Sequence, residues 1–327
     1  MATPRSKIVD LDVTRWYHCI SRCVRQAFLC GGAHTSRKEW LEQRLEHLAK
    51  HFAIEIAGYA ILDNHLHILL RVDVEVADRL TSREIANRWG QIYPPRNKSR
   101  RAVSISEQWL ENRCQDYHWI ETRRARLKSL SWFMKCLKEE LARKANKQDG
   151  CSGAFFEGRF KSIPIEDEES LLAVCTYIDL NPFAAGISKL PEHSPYTSLK
   201  YRVSRARQSV RIKDFNSGGR REILARNKMR AIEKDQWLCP LERVDSSDLE
   251  RNGMLPGLSL GIYLKIIDFA ARQFREGKAR LDAGIANIFD RLSCDFDHWS
   301  GTLAKICTGA WRQRTQRAPK PAALATA

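Results

Sequence analysis

Asp63-Asn64-His65-Leu66-His67-Ile68-Leu69-Leu70-Arg71 reads as a turn followed by a strand. Asp63 and Asn64 supply turn chemistry, and the run after them alternates. Successive strand side chains point to opposite faces. His65, His67, Leu69 and Arg71 therefore share one face, and Leu66, Ile68, Leu70 and Val72 the other. The second face is wholly apolar and belongs in a core. The first sets two imidazoles side by side, a spacing at which both can bind one metal ion. The plainer reading is a half-buried strand with two polar residues, and so short a motif does not decide between them.

Upstream, Trp16 to Cys23 alternates as a first strand and is followed by a Gly31-Gly32 turn. Ser36 with Glu39 three residues on reads as a capping box opening a helix. Trp40, Leu41, Leu45, Leu48 and Phe52 mark that helix's core face. Ile54 to Leu62 is a second strand, joined to the histidine strand by Asp63-Asn64. The order is strand, helix, strand, strand.

Downstream, residues 75–128 carry less pattern. Pro94-Pro95 and the basic run Arg96, Lys98, Arg100, Arg101 form an exposed loop flanked by Trp89 and Trp109. Basic side chains beside aromatics suit single-stranded nucleic acid, whose phosphates meet the charges while its bases stack on the rings. A solvated loop with core tryptophans explains the same residues. Ser131 to Lys147 is an amphipathic helix closed by Asp149-Gly150. Gly153 to Ile163 reads as a strand with Arg159 and Lys161 on one face, placed to meet a phosphate backbone, and Phe156 and Phe160 on the other. Asp167 is a natural N-cap for a helix running to about Leu180, with Pro182 as its stop. Tyr177 and Asn181, four apart, share a face of it. Taken alone, that tyrosine reads as a core residue.

Composition narrows the class. Lys and Arg number 55 against 39 Asp and Glu, a net charge of +16 over 327 residues, which favours a polyanionic partner, above all nucleic acid. Hydrophobic content of 43% with 29% charged residues excludes a disordered chain. No charge-free stretch is long enough to span a membrane, and Met1 to Asp12 lacks the apolar core of a signal peptide. A cytoplasmic protein is expected. The ten cysteines are scattered without a C-x-x-C pair, and the spacing of Cys19, Cys23 and Cys30 matches no standard zinc site. They read as reduced thiols.

Taken together, the motifs resemble the REP-associated tyrosine transposases, within the single-tyrosine HUH superfamily. His65-Leu66-His67 matches the His-hydrophobic-His signature. Gly158-Arg159-Phe160-Lys161-Ser162 and Tyr177-Ile178-Asp179-Leu180-Asn181-Pro182 match the family's second block, and Tyr17-His18 and Gly58-Tyr59-Ala60 fit as well. The likeness covers roughly residues 10–205. It implies an α+β fold, a ferredoxin-like antiparallel sheet with helices packed on one face, in a catalytic domain of residues 1–205 with an insertion at about 75–128. Residues 206–327 would form a basic linker around Ser217-Gly218-Gly219 and a helical C-terminal extension, with helices at Leu258–Asp268 and Leu281–Leu292 and a disordered end from Arg312.

The resemblance also implies the chemistry. Tyr177 would be the nucleophile, and His65, His67 and Asn181 would hold Mg²⁺ or Mn²⁺. Arg159, Lys161, Arg71, Arg100 and Arg101 would contact DNA, and the resemblance implies association with the nucleoid. The substrate would be single-stranded, hairpin-containing DNA such as REP-like repeats, cleaved and rejoined through a 5′-phosphotyrosine. One departure stands out: many relatives follow Asn-Pro with a pair ending in arginine, whereas this chain has Phe183-Ala184-Ala185-Gly186. The competing expectations are a domesticated repeat-DNA-binding protein of the same fold and an unrelated RNA-binding protein. A rolling-circle initiator or relaxase usually orders its tyrosine and histidines differently.

Overall fold

β3 (His65–Val72) lies inside a four-stranded sheet ordered β2-β3-β1-β4, in which every pairing is antiparallel. The computed structural model describes residues 8–188, 190–244 and 252–273. In chain order, β1 (Trp16–Arg22) leads to α1 (Ser36–His51), then β2 (Ile54–Ile61) and β3. Five helices intervene before β4 (Lys161–Ile165): α2 (Val74–Arg79), α3 (Ser82–Ile92), α4 (Glu107–Cys114), α5 (Tyr117–Leu127) and α6 (Leu130–Gln148). With β1 and β3 central and β4 closing the edge beside β1, the sheet has the ferredoxin-like order.

The alternation along β3 sorts its residues as the sequence implies. Leu66, Ile68, Leu70 and Val72 pack with Leu41, Leu45 and Leu48 of α1 and Phe133, Leu137 and Leu141 of α6. β2 contributes Ile54, Ile56, Tyr59 and Ile61 to the same cluster. That set breaks strict alternation, and a register shift between Ile56 and Gly58 accounts for it. The extra residue of such a bulge turns the rest of the strand over.

The opposite face is also covered, which corrects the expectation of helices on one face only. Leu69, Ala57 and Ala60 pack under Leu171, Val174 and Ile178 of α7 (Glu168–Ala184). Small residues on β2 let that helix approach closely. The same cluster takes in Leu199 of α8 (Ser198–Ser209), Met229 of α9 (Gly219–Lys234) and Tyr263 and Ile266 of α10 (Leu260–Gln273). Leu238 bridges to Ile56, and Cys239 N donates to Ile56 O at 2.8 Å. A short parallel pair, β5 (Glu242–Arg243) with β6 (Leu255–Pro256), completes this layer. The described part of the extension thus roofs the second face of the sheet.

Several local expectations change for physical reasons. Ser36 does not cap α1: Thr35 before it is already helical (φ −57°, ψ −29°) and makes no side-chain cap, so no capping box forms. The strand expected from Gly153 forms only from Lys161, because Gly153 (φ 112°) and Gly158 (φ 73°) turn the chain out of extended geometry. Phe155, Phe156 and Phe160 are buried from that loop instead. Pro182 does not stop α7. Its missing N–H costs one helical bond, and Ala185 N still donates to Asn181 O at 2.9 Å. Ser217-Gly218-Gly219 is no linker but a turn into α9, with Gly218 at φ 69°. The stretches Leu281–Leu292 and Arg312 onward lie outside the described residues.

Candidate active site

α7 starts as its sequence implies, with the Asp167 carboxylate accepting from Ser170 N at 2.6 Å. From Ser170 to Phe183 every residue is buried except Tyr177 and Asn181. Asp179, between them in sequence, points the other way and is fully buried. Its carboxylate accepts from Ser198 Oγ (2.6 Å), Leu199 N (2.9 Å) and Tyr263 Oη (2.7 Å). Burial raises this carboxyl above its ordinary pKa, while those donors and Arg202 pull it back. The arrangement fixes the rotation of α7 about its axis. Asp179 is locked inward, so the face carrying Tyr177 and Asn181 is held toward the open end of the sheet.

That face meets the histidines. The Tyr177 ring stands edge-on to His67, with centroids 5.6 Å apart, and 6.2 Å from His18. Asn181 Nδ2 lies 3.4 Å from His67 Nε2, and the His65 and His67 rings are 4.9 Å apart. The four residues expected at the site, His65, His67, Tyr177 and Asn181, are therefore neighbours.

Hydrogen bonds select which ring nitrogens point into the site. His65 Nδ1 lies 2.6 Å from Asn64 Oδ1, an acceptor, so Nδ1 carries the proton and Nε2 keeps its lone pair. His67 Nδ1 lies 2.9 Å from His18 Nε2. With the Asn181 amide donating to His67 Nε2, His67 Nδ1 carries the proton and donates to His18. Both imidazoles thus present unprotonated Nε2 atoms, the form a metal ligand requires. Burial, and secondarily the Arg22 charge, lowers the His65 pKa to about 4, which keeps that ring neutral at physiological pH.

The donor chemistry suits a divalent cation: two imidazole nitrogens and an amide side chain that can turn its oxygen inward. Among the described residues no cluster of three or more His, Cys, Asp or Glu side chains is placed to hold a metal. Asn181, beside the two imidazoles, offers an amide oxygen in place of a further ionisable donor.

The expected DNA contacts divide. Lys161 is exposed and shares a cross-strand row with the site, since His67 pairs with Ile20 and Ile20 with Lys161. Two strand spacings put it roughly 9–10 Å from His67. Arg159 is exposed just before β4. Arg71 is at the far end of β3 and is not available to phosphate. Its guanidinium pairs with Asp73 at 2.9 Å and Glu55 at 3.2 Å and lies over the Trp16 ring. Burial and the neighbouring Glu55 still push Asp73 up to about 7. Arg100 and Arg101 are exposed on the α3–α4 connection, a small turn closed by an Arg96–Ala102 bridge.

Three residues with site geometry were missed as such by sequence reasoning. His18 braces His67, Asn64 braces His65, and Arg22 pairs across from His65 in the sheet. The alternation of β1 puts His18 and Arg22 on one face, but only the β1–β3 register brings that face to the histidines.

The chain is similar to a REP-associated tyrosine transposase. That solved protein, bound to a REP hairpin, is 13% identical, with a TM-score of 0.34 over 58% of this chain and 79% of the other. No family model and no curated protein matches the chain. The roles of the site residues therefore rest on this chain's own geometry. Among the described residues, no helix is long and apolar enough to cross a membrane.

Proposed function

We propose that this chain is a metal-dependent, single-tyrosine DNA transposase or nuclease that cleaves and rejoins single-stranded, hairpin-containing DNA in the bacterial cytoplasm. The observation that carries the reading is the one break in the buried run Ser170–Phe183 of α7, where Tyr177 and Asn181 face the histidines. A core tyrosine needs no such surroundings.

His65 and His67, through Nε2, and Asn181, through its amide oxygen, would hold Mg²⁺ or Mn²⁺. Bound there, a divalent ion would polarise a phosphodiester and offset the charge that gathers on its oxygens. Imidazole donors favour Mn²⁺ over Mg²⁺. Tyr177 is the nucleophile. A phenol, with a free pKa of about 10, ionises far more readily than an aliphatic hydroxyl. Its oxygen forms a bond to phosphorus and the P–O3′ bond breaks. The phenol proton goes to solvent, and the leaving 3′ oxygen takes up a proton. The product is a 5′-phosphotyrosine, which retains the ester's energy. A second strand's 3′-hydroxyl can reverse the step, so joining needs no ATP. Lys161, Arg159 and Arg22 surround the site with positive charge and would position the phosphate backbone.

The test is incubation of the protein with end-labelled single-stranded hairpin DNA and Mn²⁺ or Mg²⁺, followed by denaturing electrophoresis. A metal-dependent covalent adduct is expected from the wild type and none from Tyr177→Phe. His67→Ala should reduce it by about 100-fold or more. Tight hairpin binding with no adduct would leave a DNA-binding protein of this fold and reject the enzyme.

A further inference from the structure

The helices between β3 and β4 carry a feature the cleavage site does not use. Arg113 of α4 lies between two indoles, 5.6 Å from Trp109 and 5.1 Å from Trp119. Arg123 of α5 lies between Trp119 at 4.6 Å and Trp89 at 5.7 Å. Arg126 follows between Trp89 at 5.6 Å and Trp132 at 3.9 Å, and Lys135 caps Trp132 at 4.5 Å. Rings and cations alternate across four helices.

Such a ladder could simply staple the helices together through cation–π contacts. Its charges argue for more. Among the described residues, none of the three arginines forms an ion pair with a carboxylate. Arg123 Nε is buried without a hydrogen-bond partner. Burial and the charges of Arg126 and Arg113 lower its pKa, so the three cations repel one another in place. Arg124, their neighbour on α5, shows what a structural arginine looks like in this fold. It pairs with Glu121 and donates to the carbonyls of Ala77 and Leu80. Arg113, Arg123 and Arg126 are partly exposed like Arg124, but indole rings stand where Arg124 has a carboxylate and carbonyls.

We infer that this tryptophan–arginine ladder is a binding track for single-stranded DNA, its arginines taking backbone phosphates while the indoles between them hold the guanidiniums in a row. The track is continuous with the cleavage site. Lys135 is one turn from Lys138 on α6, and Lys138 donates to Gly158 O at 2.9 Å, next to Arg159. Glu157 N donates to Arg22 O at 2.8 Å, and Arg22 faces His65. A strand leaving the histidines would pass around this end of the sheet and along α6 to the ladder. The inference rests on the DNA-processing reading, but binding can be measured without catalysis.

The experiment uses the full chain and a fluorescein-labelled single-stranded DNA oligonucleotide, with affinity read by anisotropy across a potassium chloride series. Each lost phosphate contact should lower the slope of log K against log salt by about 0.7. Arg113→Gln should therefore lower it by about that amount, and the triple Arg113→Gln/Arg123→Gln/Arg126→Gln variant by about 2. The triple lysine variant should keep the slope while weakening binding. A wild-type slope in Arg113→Gln, or in a folded triple variant, overturns the track whatever the adduct assay gives. A reduced slope with no adduct from the wild type supports the track and rejects the enzyme reading alone. Tighter binding of an RNA oligonucleotide through the same arginines overturns the choice of DNA.

Discussion

His18 Nε2 and His67 Nδ1 meet at 2.9 Å in the buried middle of the sheet, where β1 and β3 run side by side. His67 cannot turn without breaking that bond, and its other nitrogen is held toward Asn181. His18→Ala should lower Mn²⁺ affinity by about 10- to 100-fold while leaving the circular dichroism spectrum unchanged. Titration calorimetry measures it, and wild-type affinity in the variant would remove His18 from the site.

Asn64 does for His65 what His18 does for His67. Asn64→Ala frees the ring and removes the acceptor that fixes its tautomer. A loss of about tenfold or more in Mn²⁺ affinity is expected. Asn64→Asp keeps an acceptor and should recover most of it.

Arg71 distinguishes a structural cation from a DNA contact. Arg71→Gln leaves Glu55 and Asp73 as half-buried carboxylates without their partner, a loss of about 3–5 kcal/mol in the denaturant midpoint analysis. The salt slope for oligonucleotide binding should not change. Lys161→Gln should do the reverse, lowering the slope by about 0.7 with little effect on stability.

Tyr263 ties the extension to the nucleophile's helix. Its hydroxyl donates to Asp179 at 2.7 Å and also contacts Cys175 Sγ at 3.3 Å. Tyr263→Phe leaves a fully buried carboxylate one donor short, and a loss of about 1.5–3 kcal/mol is expected. Truncation after residue 205 should be worse, exposing the apolar side of α7 and leaving the chain insoluble or unfolded.

Stability should fall in mild acid. His51, at the end of α1, has its pKa lowered to about 4 by burial and then by the neighbouring His47. In the unfolded chain it titrates near 6.5. Between those values the unfolded state binds the proton and the folded state does not, so stability rises with pH across about 4 to 6.5 and is lost as pH falls. His51→Gln should flatten that slope in melts at stepped pH.

Much of this was legible in the sequence. The histidine strand's apolar face, the Tyr177–Asn181 spacing and the Asp167 cap follow from periodicity and local chemistry. Arg71 shows the limit: alternation put it correctly on the histidine face, but only the sheet's register reveals Glu55 and Asp73 beside it. His18 was hidden for the same reason. The second helical layer was missed because Leu69, Ala57 and Ala60 do not announce a covered face. The tryptophans of residues 75–128 allowed two readings, a single-stranded nucleic-acid surface or core residues, and only the fold shows their interleaving with arginines across four helices.

The most direct measurement is peptide mapping of the covalent protein–DNA adduct by mass spectrometry after nuclease and protease digestion. A nucleotide attached through its 5′-phosphate to the Tyr177 peptide, formed only with divalent metal, is the expected result. Attachment at any other residue, or the same adduct formed by a His65→Ala/His67→Ala variant, would contradict the proposed site.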